Sequence, residues 1–158
     1  MKTLLVFYSR TGRTRKVAKL IAEGLKCDYE EIIDTKKRTG LILGFLRSGF
    51  DAVKEKLTII KEVQKNPDMN DLIILGTPIW GNRMTPAIRT YISENKNKFK
   101  KVAFFCTEGG DQGFKAFERM ADLCGKEPLL TLEISKKEIK QDLHTKKINS
   151  FIQELHKI

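Results

Sequence analysis

The chain has 158 residues, of which 41% are hydrophobic, enough for one domain with a sizeable core and too few for two comfortable ones. Its 30 Lys and Arg against 20 Asp and Glu give a formal charge of +10, which admits nucleic acid, an anionic membrane surface or an acidic protein as a partner. The basic residues are dispersed, in runs at 36–38, 96–101, 136–137 and 146–147, and Phe99 is the one aromatic residue within these runs, so they lack the repeated aromatic residues that stack on bases. We therefore expect a largely solvated basic surface and no nucleic-acid partner.

Two further classes are disfavoured by the sequence. No stretch approaches the ~18 consecutive apolar residues of a membrane span, and the first residues enter a strand pattern without a signal-like region. We expect a cytoplasmic protein with no membrane insertion. The cysteines Cys27, Cys106 and Cys124 are odd in number and lack metal-ligand spacing, so neither a disulfide framework nor a metal site is predicted. They are expected to be small packing residues.

The first predicted elements are a strand at 4–7, a turn rich in hydroxyls and glycine, and a helix marked by Val17, Leu20, Ile21 and Leu25. Periodicity and apolar runs extend this pattern along the chain. Further strands are predicted at 29–33, 72–75, 102–106 and 129–134, and further helices at 84–92, 114–124 and 137–156.

A less usual stretch lies between the second and third strands. Apolar residues between 42 and 57 recur at spacings of three or four, which predicts a helix covering one face of the sheet. Gly40, Gly44 and Gly49 lie in or beside it, and a glycine inside a helix costs about 1 kcal/mol relative to alanine. We expect local mobility or close packing there, with a homodimer as one possible cause. A short extended segment is predicted at 58–63.

Five strands alternating with five helices predict a doubly wound α/β fold, a parallel sheet with helices on both faces, over a single domain at 1–158. Right-handed crossovers place the carboxyl ends of all strands along one edge, where such sheets bind ligands. The loops at 8–14, 77–82 and 107–113 each follow a strand and are expected to meet at that edge.

The first of these loops suits a phosphate. Ser9, Thr11 and Thr14 can donate to phosphate oxygens, Gly12 permits an unusual backbone conformation, and the helix start offers unpaired N–H groups. An ordinary strand-to-helix turn with capping hydroxyls is the alternative. Neither a Gly-x-Gly-x-x-Gly nor a Gly-x-x-x-x-Gly-Lys motif is present, which argues against the usual dinucleotides and nucleoside triphosphates. A flat aromatic group with a single phosphate fits better.

The motif Ser-Arg-Thr-Gly-Arg-Thr at 9–14 resembles the FMN phosphate loop of flavodoxins, Ser/Thr-x-Thr-Gly-x-Thr. The loop at 77–82 resembles the family's second loop, whose Trp lies against the isoalloxazine ring, and 107–111 resembles the third, whose backbone approaches the pyrimidine end. The resemblance spans essentially the whole chain and implies a flavodoxin-like fold with FMN as cofactor. The residues it implies for FMN binding are Ser9, Arg10, Thr11, Gly12, Arg13, Thr14, Thr77, Pro78, Ile79, Trp80, Gly81, Asn82, Thr107, Glu108, Gly109 and Gly110. It also implies that the peptide at Gly81 can turn and accept a hydrogen bond from the protonated N5 of the one-electron-reduced flavin.

The resemblance leaves two main functional classes open. One is an electron carrier that shuttles electrons between redox proteins, with acidic partners favoured by the basic surface. The other is an FMN-dependent NAD(P)H oxidoreductase that reduces a quinone or similar acceptor. Only Glu108 and Asp111 are candidate acids or bases in the loops, and no second nucleotide motif is present, which favours the carrier. A flavin-less binding module on the same fold is the third option.

Phe114 and the two histidines carry separate expectations. Many flavodoxins cover the outer ring face with a Tyr; here either Phe114 substitutes or that face is open. The histidines His144 and His156 are expected on the surface, far from the loops.

The basic charge departs from the family, whose members are typically acidic. Arg10, Arg13 and Arg83 in or beside the loops predict a second reduction potential that is less negative than in acidic relatives and depends on salt.

Overall fold

A computed structural model describes residues 1–35, 56–110 and 113–158 of the chain. Its centre is a five-stranded, all-parallel sheet in the order β2-β1-β3-β4-β5. The strands are β1 (Thr3–Phe7), β2 (Asp28–Glu31), β3 (Leu72–Pro78), β4 (Lys101–Glu108) and β5 (Thr131–Ser135). The predicted doubly wound parallel sheet is confirmed.

Helices cover both faces of this sheet. They are α1 (Arg13–Leu25), α2 (Pro86–Asn95), α3 (Gly113–Cys124), α4 (Lys136–Lys140) and α5 (His144–Lys157), with short 3-10 turns at Pro67–Met69 and Lys96–Lys98. The apolar stripes of α1 and α5 pack on one face, and those of α2 and α3 pack on the other. Burial of these two apolar layers is the main force that holds the sheet and helices together.

The sheet is most tightly packed where β3 and β4 lie side by side. Both strands are buried along nearly their whole length, as their continuous apolar runs predict. Gly76 of β3 pairs in register with Phe7 on one side and Phe105 on the other, and a Cβ atom at Gly76 would overlap the Phe105 ring. The absence of a side chain at Gly76 is therefore required by the packing.

The predicted boundaries shift at the carboxyl ends of the strands. β3 continues through Pro78 and β4 through Glu108, so the first residues assigned to the second and third loops belong to strands. Strand β2 ends at Glu31, two residues before the predicted end, and β5 begins at Thr131, two residues after the predicted start. Shifts of this size arise because the end of a strand depends on its pairing with neighbouring strands, and a local sequence pattern contains no information on that pairing.

The prediction of one helix from 137 to 156 is wrong. The chain forms α4, turns at 141–143 with Asp142 in the left-handed region at φ 58°, and then begins α5. Ser135 and Glu138 form a reciprocal capping box that fixes the start of α4. The change in direction leaves Leu143 exposed and places His144 in the interior.

The extended segment predicted at 58–63 is present beside β2. Ile60 forms an antiparallel bridge with Asp34, and the N–H groups of Thr35 and Lys61 donate to the carbonyls of Ile59 and Ile33. The helix predicted between 42 and 57 lies almost entirely outside the described residues.

Candidate functional site

The candidate site lies at the carboxyl edge of the sheet, above β1, β3 and β4. In the order 2-1-3-4-5 the chain leaves β1 toward β2 on one side and later returns to β3 on the other, which makes this the switch point of the sheet. The loops after β1, β3 and β4 meet there, as the sequence predicts.

The first loop presents the start of α1 to this edge. Gly12 precedes the helix with φ 91°, a conformation that favours glycine, and no side chain caps the helix start from that position. The Gly12 N–H donates instead to Ser9 Oγ at 3.1 Å. The buried Thr14 hydroxyl lies 2.8 Å from the Thr107 hydroxyl, which ties the loop to β4. The positive end of α1 thus faces the edge without a side-chain cap from its N-cap residue, as an anion site requires.

The second loop is a tight turn from Trp80 to Arg83. The two residues exchange backbone hydrogen bonds of 3.0 and 3.2 Å, while Gly81 and Asn82 adopt φ values of 55° and 61°. Positive φ at both central residues is the geometry of a type I′ turn, which glycine and asparagine favour. Thr77 braces the base of the loop: its Oγ accepts from Thr85 N–H at 3.1 Å and donates to the Pro78 carbonyl at 2.9 Å.

The Trp80 ring is held between two neighbours. It meets Tyr8 edge to face, with ring centroids 5.8 Å apart and an interplanar angle of 89°. The Arg10 guanidinium lies over the ring, with Cζ 5.5 Å from the centroid. Only 9% of Trp80 is exposed, so the residue is both a core aromatic and a wall of the site.

The third loop follows Glu108, the last residue of β4, which is 5% exposed. Gly109 and Gly110 are exposed, and residues 111 and 112 lie outside the described part of the chain. On its far side the loop enters α3, whose first N–H, that of Gly113, donates to Glu133 Oε1 at 3.0 Å. A carboxylate from β5 therefore anchors the end of this loop.

These loops enclose a cleft of about 230 Å³. Its lining residues are Arg10, Thr11, Arg13, Thr14, Pro78, Ile79, Trp80, Thr107, Glu108, Gly109 and Lys136. All of them except Lys136 are among the residues that the sequence predicts. The charge pattern places Lys136 only in a basic surface run, and the signal that identifies it is its position directly after the fifth strand.

The remaining predicted residues do not line the cleft. Ser9 and Gly12 shape the first loop, and Thr77 braces the second. Gly81 and Asn82 are exposed in the turn, and Gly110 is exposed with no atom within 4 Å of where its Cβ would lie.

Phe114 does not line the cleft. It is 68% exposed and borders a separate depression of about 420 Å³ beside β5, together with Phe117, Leu130 and Phe151. The suggestion that Phe114 covers the outer face of a bound ring has no support from this position.

Basic groups outnumber acidic ones among the described residues of the cleft. Arg10, Arg13 and Lys136 line it, and Glu108 is the one carboxylate that the described part of the chain contributes. The neighbouring Arg15 is neutralised outside the cleft by Glu31, with two hydrogen bonds of 2.7 Å. The cleft therefore favours an anionic ligand.

The environments of the three thiols disfavour the thiolate form. Burial raises the pKa of Cys106 well above its usual value, and the carboxylates of Glu133 and Glu108 raise it further. Burial likewise raises the pKa of Cys27 to about 11 and that of Cys124 to about 12. Cys106 and Cys124 are buried and Cys27 is half-buried, which fits their predicted role as small packing residues.

The two histidines differ. His156 is exposed, as expected, but His144 is 1% exposed, so its predicted surface position is wrong. Its Nδ1 lies 3.6 Å from Asp142 Oδ1. Leu143, the preceding residue, shares a depression with Glu108, which places the start of α5 near the carboxyl edge and not far from it.

In residues 1–35, 56–110 and 113–158, no group of three or more His, Cys, Asp or Glu side chains is arranged to hold a metal ion. Within the same ranges no helix has the length and apolar character needed to cross a membrane.

No protein family model matches the chain, and no curated protein matches it. Solved structures do. A flavoprotein from Lactobacillus acidophilus NCFM in complex with FMN superposes with a TM-score of 0.75 at 21% identity, over 89% of this chain and 97% of that chain. A protein from Bacteroides uniformis described as a flavoprotein gives 0.74 at 26% identity, over 90% and 97%. Flavodoxin 1 from Bacillus cereus gives 0.57 at 18% identity, over 99% and 98%. The fold is flavodoxin-like.

Proposed function

We propose that this chain binds FMN in the cleft and carries electrons between redox proteins. The observation that supports it is the cleft itself, which combines an uncapped helix start, an aromatic ring and an excess of positive charge at the switch point of a flavodoxin-like sheet. The structural relatives described as flavoproteins, one of them in complex with FMN, support the same ligand.

The residues present fit the two ends of FMN. The start of α1 with the hydroxyl of Thr11 and the guanidinium of Arg13 suits the phosphate, because a helix start, a hydroxyl donor and a cation belong to the same side of one cleft's lining, the first loop. Trp80, Ile79 and Gly109 supply an apolar wall and an exposed backbone segment for the flat ring. Bound FMN would supply reversible one- and two-electron chemistry, which the protein side chains lack.

The size of the cleft favours a carrier. Its volume of about 230 Å³ lies below the ~300–1,000 Å³ of pockets that enclose small molecules. A ligand of FMN's size would be only partly enclosed, and its remaining part would face solvent. An exposed redox group is accessible to the surface of another protein.

An FMN-dependent NAD(P)H oxidoreductase is the second candidate. Of the two alternatives for the outer face of the ring, the position of Phe114 away from the cleft favours an open face, which a small acceptor could reach. Against this candidate, Glu108 is the one acidic side chain among the cleft residues that the structure describes, and it is nearly fully buried.

Flavin binding is tested first. The purified chain is titrated with FMN, and quenching of flavin fluorescence is followed together with the visible absorption spectrum. Saturable binding with a one-to-one stoichiometry is expected. Absence of binding would contradict both candidates and would favour a flavin-less module.

The loaded protein then separates the two candidates. Photoreduction without nicotinamide is expected to give a long-lived blue, one-electron-reduced form, and NADH or NADPH is expected to reduce the flavin only slowly. Rapid two-electron oxidation of either nicotinamide, followed by reduction of a quinone, would assign the oxidoreductase function instead.

Acidic redox proteins in the cytoplasm are the partners we propose, because a formal charge of +10 steers a negatively charged surface toward the chain. Electron transfer to an acidic carrier protein should then slow as ionic strength rises. Transfer that is equally fast to a basic carrier would contradict this proposal.

A further inference from the structure

Lys136 lines the cleft from the β5 edge of the sheet, which is separated from β1 by β3 and β4. Ser135, the last residue of β5, pairs in register with Glu108, the last residue of β4. Lys136 is the next residue, so its backbone lies at the carboxyl edge of the sheet. It lines the cleft together with Arg13 from α1. The two cations approach from separate elements, and both elements pack on the same face of the sheet.

The backbone at Lys136 is fixed by its neighbours. Ser135 Oγ accepts from Glu138 N–H at 3.2 Å, and the Ser135 N–H donates to Glu138 Oε2 at 2.7 Å. The same Glu138 carboxylate forms an ion pair with Lys147 at 2.6 Å. The capping box thus holds Lys136 in place, and the nearest carboxylate on α4 is already neutralised by another lysine.

Neither cation has an internal partner in the described part of the chain. Within residues 1–35, 56–110 and 113–158, Arg13 and Lys136 form no side-chain hydrogen bond and no ion pair. Arg15, on the same helix, differs from Arg13: its guanidinium group donates two hydrogen bonds to the Glu31 carboxylate. Two cations that have no side-chain partner among the described residues and that line one cleft, with Glu108 as its described carboxylate, favour an anion with more than one negative charge.

We propose that Lys136 and Arg13 together bind the phosphate group of the ligand, so that the site discriminates phosphorylated from unphosphorylated flavin. This inference rests on the proposed function. A phosphate monoester carries about −1.5 to −2 charges at pH 7, which one cation would leave partly unneutralised. The flavodoxin-like motif in the first loop supplies hydroxyls and N–H groups to such a ligand, and Lys136 adds a charge from outside that motif.

The test compares two adjacent lysines. Lys136→Gln removes the charge that lines the cleft, and Lys137→Gln removes a charge of the same size that borders a different depression. Dissociation constants of FMN and of riboflavin, which lacks the phosphate, are measured by flavin fluorescence at low and high salt. Both side chains are exposed, so both variants should fold, and thermal unfolding checks this.

Lys136→Gln should weaken FMN binding about fivefold at low salt, as expected for one exposed charge pair of about 1 kcal/mol. Riboflavin binding should not change, and the salt dependence of FMN binding should decrease. Lys137→Gln should behave like the parent chain. Equal loss of FMN and riboflavin affinity, or no loss of either, would overturn the assignment of Lys136.

A second probe separates this inference from the proposed function. If the parent chain binds no FMN, the proposed function fails, and inorganic phosphate then tests the pair of cations alone. At constant ionic strength, phosphate should raise the unfolding temperature of the parent chain and of Lys137→Gln more than chloride does, and should lose that effect in Lys136→Gln. No effect of phosphate on the parent chain would overturn the inference.

Discussion

The loops after β1 and β3 meet in one cleft but hold their shapes in different ways. The second loop is held by its own hydrogen bonds: Trp80 and Arg83 exchange backbone hydrogen bonds, and the Thr77 hydroxyl bonds to the backbone of Pro78 and Thr85. The first loop is anchored near its ends, whereas the Thr11 hydroxyl and the Arg13 guanidinium form no hydrogen bond within the described residues. Changes in the second loop should therefore reduce stability, and changes in the first should reduce affinity.

The largest effect is expected below both loops, at Gly76. Its carbonyl accepts from the Tyr8 N–H that begins the first loop, and a Cβ there would overlap the Phe105 ring. Gly76→Ala should lower the free energy of unfolding by about 2–3 kcal/mol, because an overpacked core must shift. Urea unfolding measures this. Gly110→Ala, where space is open, is the control and should change it by less than about 0.5 kcal/mol. Equal effects at the two glycines would contradict the packing described for β3 and β4.

Two threonines give the most direct comparison of the loops. Thr77→Val leaves the buried N–H of Thr85 without its acceptor and should cost about 2 kcal/mol of stability. Thr11→Val should leave unfolding unchanged but weaken FMN binding about tenfold, through loss of a donor to a charged group. Urea unfolding and FMN titration of both variants provide the check. A stability loss in Thr11→Val, or an unchanged Thr77→Val, would remove the distinction between the loops.

The arginines at the start of α1 extend the comparison to charge. Arg13→Gln should weaken FMN binding about fivefold at low salt, with riboflavin unaffected. Arg15→Gln should leave affinity nearly unchanged and lower stability by less than about 1 kcal/mol, because its partner Glu31 is partly exposed. Flavin titration and urea unfolding measure the two quantities. A larger affinity loss in the Arg15 variant would mean that the cleft charge is spread over the whole helix start.

The smallest effect concerns the second reduction potential of the bound flavin. A unit charge ~10 Å away in a water-like medium contributes about 0.4 kcal/mol, or roughly 20 mV for one electron. Arg10, Arg13 and Lys136 should each favour the anionic fully reduced form, so the potential should become more negative as salt screens them. Potentiometric titration at two ionic strengths measures this. A low potential that does not respond to salt would show that the basic cleft has no influence on the flavin.

The sequence predicts the central strands of the sheet well, because two apolar runs have the pattern of buried strands. Continuous apolar runs at 72–75 and 102–106 are typical of strands buried on both faces, and both runs lie in buried strands. The break in the last helix has a signal in the sequence: Leu143 and Ile148 are five residues apart, which does not fit one helical stripe.

The site is predicted in part for a related reason. Residues that follow a strand directly, such as Thr11 and Trp80, could be placed because topology assigns the edge. Lys136 also follows a strand directly, and the same rule applied to β5 would have found it. The burial of His144 and the position of Phe114 depend on how α3, α4 and α5 pack, and local periodicity does not contain this information.

Trp80 is the single tryptophan of the chain, and its ring forms one wall of the cleft. The ultraviolet emission of tryptophan in this protein therefore originates from one position. With the ring 9% exposed and a guanidinium 5.5 Å from its centroid, any occupant that displaces Arg10 or contacts the indole changes that emission. The protein consequently contains its own optical probe, which reports on the cleft without a label.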